Sequence, residues 1–102
     1  MARTKSIGVF DSGFGGLSVL KELKNLLPAY DYMYLGDTAR APYGPRESEE
    51  VLQFSKEAVD YLFNKGAEII VFACNTASAE ALRAIQQTYL PERYGKDKRV
   101  WE

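Results

Sequence analysis

Apolar side chains recur along this chain with two different periods, and the alternation between them predicts its layout. Residues 6–11 hold the apolar cluster Ile7, Val9 and Phe10, which reads as a strand, and the glycine-rich turn Ser12-Gly13-Phe14-Gly15-Gly16 follows. Leu17, Leu20, Leu23 and Leu27 then fall at helical spacing, Val19 and Leu26 widen the stripe, and Pro28 stops it. Residues 31–35 are dense in aromatics and read as a second strand, with Tyr30, Tyr32 and Tyr34 alternating as if one face were wetter. A connection over 36–46, ordered in its Pro and Gly placement, leads to a helix capped by Ser48. Glu49 and Glu50 occupy its first turn, Val51, Ser55, Ala58, Val59, Leu62 and Phe63 mark one face, and Gly66 is its stop. Residues 68–73 are apolar at consecutive positions, as a strand covered on both faces should be. A last helix, 77–89, turns Leu82, Ile85 and Tyr89 inward and ends before Pro91. The order β-α-β-α-β-α predicts an α/β fold, a parallel β-sheet with right-handed crossovers and helices on both faces, in a flavodoxin-like three-layer sandwich. Residues 1–90 make one α/β domain, and 91–102, polar and without a period, read as a linker or frayed end.

Composition narrows the partners. With 102 residues, 46% hydrophobic and 26% charged, the chain fits one soluble globular domain. A formal net charge of -1 makes no case for nucleic acid or an anionic membrane surface, and no apolar run suits a signal-peptide core or a membrane span. A small molecule or a protein is the expected partner. The single cysteine, Cys74, cannot form an internal disulfide, so a reducing cytoplasm fits best. Histidine is absent, which removes Ser-His and Cys-His nucleophile pairs and histidine-based zinc sites, and no metal is expected. Proton chemistry falls to Cys, Asp, Glu, Lys or Tyr.

Cys74 sits where an apolar strand meets a helix start, beside free backbone N–H groups and the positive end of the helix dipole, and both favour a thiolate. A small buried hydrophobe is the other ordinary fate of a lone cysteine. In open α/β sheets the ligand crevice lies outside the carboxyl ends of the strands. Here those ends carry Asp11-Ser12, Gly36-Asp37 with the loop to Arg46, and Cys74-Asn75-Thr76. Singly each reads as a cap or turn former, but a thiol, a carboxylate, a hydroxyl and an amide on one rim exceed what capping requires. The glycine turn falls short of a dinucleotide fingerprint, since Ser18 stands where the third glycine belongs, and no Lys-Ser/Thr pair makes a Walker loop. Its glycines let backbone N–H groups approach a small anion, a carboxylate or a phosphate alike.

Three stretches together, Phe10-Asp11-Ser12-Gly13-Phe14-Gly15-Gly16-Leu17-Ser18-Val19-Leu20, Tyr34-Leu35-Gly36-Asp37-Thr38-Ala39-Arg40-Ala41-Pro42-Tyr43-Gly44 and Ala73-Cys74-Asn75-Thr76-Ala77-Ser78, resemble the N-terminal half of the bacterial glutamate racemases, within the aspartate/glutamate racemase family. The resemblance implies a cofactor-independent isomerase that interconverts L- and D-glutamate with two cysteines, supplying D-glutamate for peptidoglycan. Cys74 matches the first of that pair, and Asp11, Ser12, Pro42, Tyr43, Gly44, Asn75 and Thr76 match the substrate-binding positions. The second cysteine, with its Thr-His pair, belongs to a C-terminal half that this chain lacks, so the isolated half is expected to be inactive. Pairing of two copies as a homodimer, bringing two Cys74 thiols to one substrate, is a second way to complete the site. No pyridoxal phosphate is expected, because every lysine lies in a polar context unsuited to a buried Schiff base. Other readings are a non-catalytic amino-acid or small-anion binding domain, another racemase such as one for aspartate, and a flavodoxin-like nucleotide binder.

Overall fold

The computed structural model describes residues 6–12, 15–40, 43–95 and 98–101, with the Asn75 side chain outside that description. β1 (Ser6–Asp11), α1 (Gly16–Leu26), β2 (Asp31–Gly36), a 3₁₀ turn (Thr38–Arg40), α2 (Ser48–Asn64), β3 (Ile69–Phe72), a helix over 75–94 that we label α3, and β4 (Arg99–Trp101) follow in order. The strands form one sheet in the order β2-β1-β3-β4, parallel at every pairing. The fold is the α/β arrangement that the alternating periods predict.

Register decides which side chains share a face. Phe10 pairs with Leu35 and Phe72, and Ile70 with Gly8 and Val100, so these positions point the same way. A Cβ on Gly8 would meet Leu62 of α2 at 3.2 Å, which identifies that side as the one α2 covers. Phe10, Ile70, Phe72 and Val100 pack there against Val51, Val59 and Leu62 of α2 and Ala81, Leu82 and Ile85 of α3, forming the core. On the opposite side Tyr32 donates its hydroxyl to the Leu23 and Leu27 carbonyls at 2.9 and 2.7 Å, tying β2 to α1. Helices thus lie on both faces, but unequally. Gly16 is the one buried residue of α1, and Leu17 and Leu26 are exposed.

Several expectations need correction. Residues 91–102, expected as a linker or frayed end, carry the end of α3 and a fourth strand, which hydrogen-bonds to β3 and buries Val100. Three residues are too few to display a period, which is why the strand escapes a pattern search. α3 runs through Pro91 to Tyr94, where Gly95 at φ 73° ends it. Its segments Ser78–Leu82 and Ile85–Tyr89 are wound as π-helix, and the Leu90 N–H donates to the Ile85 carbonyl five residues back. That wider turn relieves the clash a proline ring makes with the carbonyl four residues earlier. Ser48 is the first residue of α2 rather than its cap, and its hydroxyl bonds to the Glu80 carboxylate on α3.

Candidate active site

The carboxyl ends of β1, β2 and β3 lie side by side, held by Asp37 N–H to the Asp11 carbonyl at 2.9 Å and Ala73 N–H to the Phe10 carbonyl at 2.8 Å. Cys74 follows β3 and stands in the capping position of α3. Its carbonyl accepts the Ser78 N–H at 2.9 Å, and its Sγ accepts the Ala77 N–H at 3.4 Å. The sulfur thus occupies the place of a cap side chain at the N-terminus of a long helix. The Ser12 Oγ stands 3.1 Å from that Sγ, bringing the end of β1 to the thiol. Cys74 is nonetheless buried, at 5% exposure, and belongs to the apolar cluster, as the other ordinary fate of a lone cysteine would have it.

Asp11 is buried beside this pair and is fully engaged. Its Oδ1 accepts the Ser12 N–H at 2.8 Å, and its Oδ2 accepts the Gly16 N–H at 2.6 Å and the Tyr34 hydroxyl at 3.3 Å. The Gly16 bond satisfies the first turn of α1, so Asp11 caps a helix from the preceding strand. Close approach requires glycine at 16, where a Cβ would fall 2.8 Å from the Asp11 Cβ and 3.1 Å from that of Ala73. Burial, with the Asp11 charge and hydrogen bond adding to it, raises the Tyr34 phenol above its ordinary range and keeps it a donor.

Tyr43, one of the matched substrate-binding positions, is buried with its ring 6.1 Å from that of Phe10, and its hydroxyl donates to Asp37 Oδ2 at 2.5 Å. Burial and that bond push its phenol far above the usual value. Gly44 is exposed and Thr76 half-buried at the rim. Pro42, Gly13, Phe14 and the Asn75 side chain lie outside the described residues. The geometry therefore unites Cys74, Ser12 and Asp11, with Tyr43 sharing the Cys74 cluster.

Sequence reasoning passed over the network behind the rim. Arg40 bonds Asp37 Oδ2 at 2.7 Å and Glu57 Oε1 at 2.8 Å, and its guanidinium lies 3.8 Å from the centre of the Phe54 ring. The Arg40 hydrogen bond, then that of Gln53, holds the Glu57 carboxyl below its ordinary range. An Asp and an Arg three residues apart in a long loop were the available signal. Among the described residues no cluster of three metal-ligating side chains occurs, and no helix is long and apolar enough to cross a membrane.

No family model matches the chain. Individual proteins do. It is 56% identical over 86 residues to a glutamate racemase of Caulobacter sp. (strain K31), covering 84% of this chain and 30% of that protein. The glutamate racemase structure from Aquifex pyrophilus superposes with a TM-score of 0.80 at 44% identity, over 94% of this chain and 36% of that one. That of Francisella tularensis, in complex with D-glutamate, gives a TM-score of 0.82 at 37% identity, over 95% and 34%. The chain spans about a third of the length of the relatives it matches.

Proposed function

Because this chain belongs to the glutamate racemase family, over about a third of its relatives' length, we propose that it supplies one acid–base side of a cofactor-independent racemase acting on glutamate. The observation that carries this reading is the Cys74 sulfur at the α3 N-terminus, 3.1 Å from the Ser12 hydroxyl and beside Asp11. In this mechanism the Cys74 thiolate takes the proton from the glutamate Cα. The electron pair left on Cα delocalises into the carboxylate, and a second thiol on the opposite face returns a proton, inverting the centre. Hydrogen-bond donors at the rim stabilise the charge that builds on the carboxylate oxygens, and removing one such donor costs about 10²- to 10³-fold in rate. In this reading Ser12, Thr76 and the backbone around Gly44 contact the substrate, and Pro42 and Asn75 complete the set that the resemblance matches. The opposite thiol comes from the remaining length that the relatives have, or from a second copy in a homodimer. D-glutamate made this way would enter peptidoglycan, and a free catalytic thiol suits the cytoplasm.

The test is deuterium incorporation at Cα of glutamate in heavy water. A single thiol that reaches Cα exchanges that hydrogen with retention even where inversion is impossible, so the 102-residue chain is expected to show slow exchange that disappears in Cys74→Ala. Exchange persisting in Cys74→Ala would overturn the assignment. Calorimetric glutamate binding without any exchange would favour the other reading, an amino-acid binding domain without turnover, which the burial of Cys74 supports.

A further inference from the structure

The loop that carries Tyr43 and Gly44 is tied to Asp37 and to α2 through Arg40. Arg40 Nε bonds the same Asp37 Oδ2 that receives the Tyr43 hydroxyl, and Arg40 Nη1 bonds Glu57 on α2. The guanidinium carbon lies over the Phe54 ring, 3.8 Å from its centre, and the Arg40 carbonyl accepts Arg46 Nε at 3.0 Å. Phe54 in turn packs on the Tyr43 ring, 5.5 Å between centroids. Isolated surface ion pairs contribute little, but a planar cation that joins two carboxylates from separate segments and stacks on a ring between them defines one geometry. Lysine, a point charge on a flexible stem, cannot reproduce it.

We propose that Arg40 is a positioning residue for this site: through Asp37 it sets where the Tyr43 ring stands over the Phe10 and Cys74 end of the sheet. The chain of contacts runs from Arg40 to Asp37, from Asp37 to Tyr43, and from Tyr43 to Phe10 and the cluster holding Cys74. Arg40 touches no reacting atom, and its consequence is that access to the buried thiol depends on a residue on the far side of the loop. Its relevance to catalysis rests on the racemase reading above, but its test uses no glutamate, so either can fail without the other.

The experiment compares the 102-residue chain with Arg40→Met and Arg40→Lys. It measures the rate of Cys74 alkylation by iodoacetamide and amide hydrogen exchange at Arg46, whose N–H bonds the Tyr43 carbonyl at 2.9 Å. Losing hydrogen bonds to charged groups should raise both rates together by roughly tenfold to a hundredfold in Arg40→Met, with β1 and β3 amides unchanged. Arg40→Lys should raise them less, since it keeps a charge between Asp37 and Glu57, and it gives the same comparison if Arg40→Met does not fold. Rates within about twofold of the parent chain would overturn the proposal. So would faster Arg46 exchange with unaltered alkylation, or an equal rise across β1 and β3, which would make Arg40 a support of the whole fold.

Discussion

Asp11 shows how one side chain can hold up a helix and furnish a site together. Its two oxygens accept from Ser12, Gly16 and Tyr34, and Gly16 lets α1 approach closely enough for the 2.6 Å bond. Gly16→Ala must push its new methyl against the Asp11 and Ala73 Cβ atoms, neither of which can rotate away. A loss of about 1–3 kcal/mol is expected in urea unfolding, as for other overpacked positions. Gly15→Ala, with only Asp11 Oδ2 in ordinary contact at 3.9 Å, should cost clearly less. Equal losses would mean that propensity, not the Asp11 approach, sets the requirement. This residue pair was half legible in the sequence. The strand-end position of Asp11 and the glycine cluster were visible, whereas the burial of Cys74 and its contact with Ser12, 62 residues away in the chain, depend on how the strands register.

Between elements, a polar tie closes the α2–α3 seam. Asp60 of α2 accepts the hydroxyls of Tyr89 at 2.6 Å and Tyr94 at 2.5 Å, with Arg93 Nε at 3.1 Å, and Tyr94 also packs edge-on against Phe63. Burial, then the bond to Asp60, pushes the Tyr89 phenol up from 10.0 to about 12. A folded state that holds its proton more tightly than the unfolded chain gains stability below pH 10, and that gain disappears as pH rises through about 12. The urea midpoint should therefore fall between those two pH values, and fall less in Tyr89→Phe. An identical fall in both proteins would remove Tyr89 from the explanation. The helical stripe of α3 was readable from Leu82, Ile85 and Tyr89, yet its last turn was not. Proline normally ends a helix, and only the π-wound turn before Pro91 lets this one continue to Tyr94, which brings the second tyrosine to Asp60.

At the scale of the whole molecule, the question is whether a chain spanning about a third of its relatives folds as a unit. Its radius of gyration, 13.1 Å, matches the value of about 13 Å for a compact domain of 100 residues. The two sides of the sheet are unequal, with α2 and α3 sealing one and α1 partly covering the other, so stability depends on the sealed side. β4 is the outermost part of that side, and adjacent residues in it face opposite environments. Val100 is 2% exposed and paired with Ile70, while Trp101, the chain's one tryptophan, is 53% exposed. Val100→Asp would place an unpaired charge in the apolar cluster, with an expected loss of about 3–5 kcal/mol. Trp101→Ser on the open side should change stability by less than about 0.5 kcal/mol. Circular dichroism followed through urea unfolding separates the two, because an integral β4 requires a large difference between neighbours. If both substitutions leave the transition where it was, β4 is a frayed end as its composition alone suggested, and the sealed core stops at β3.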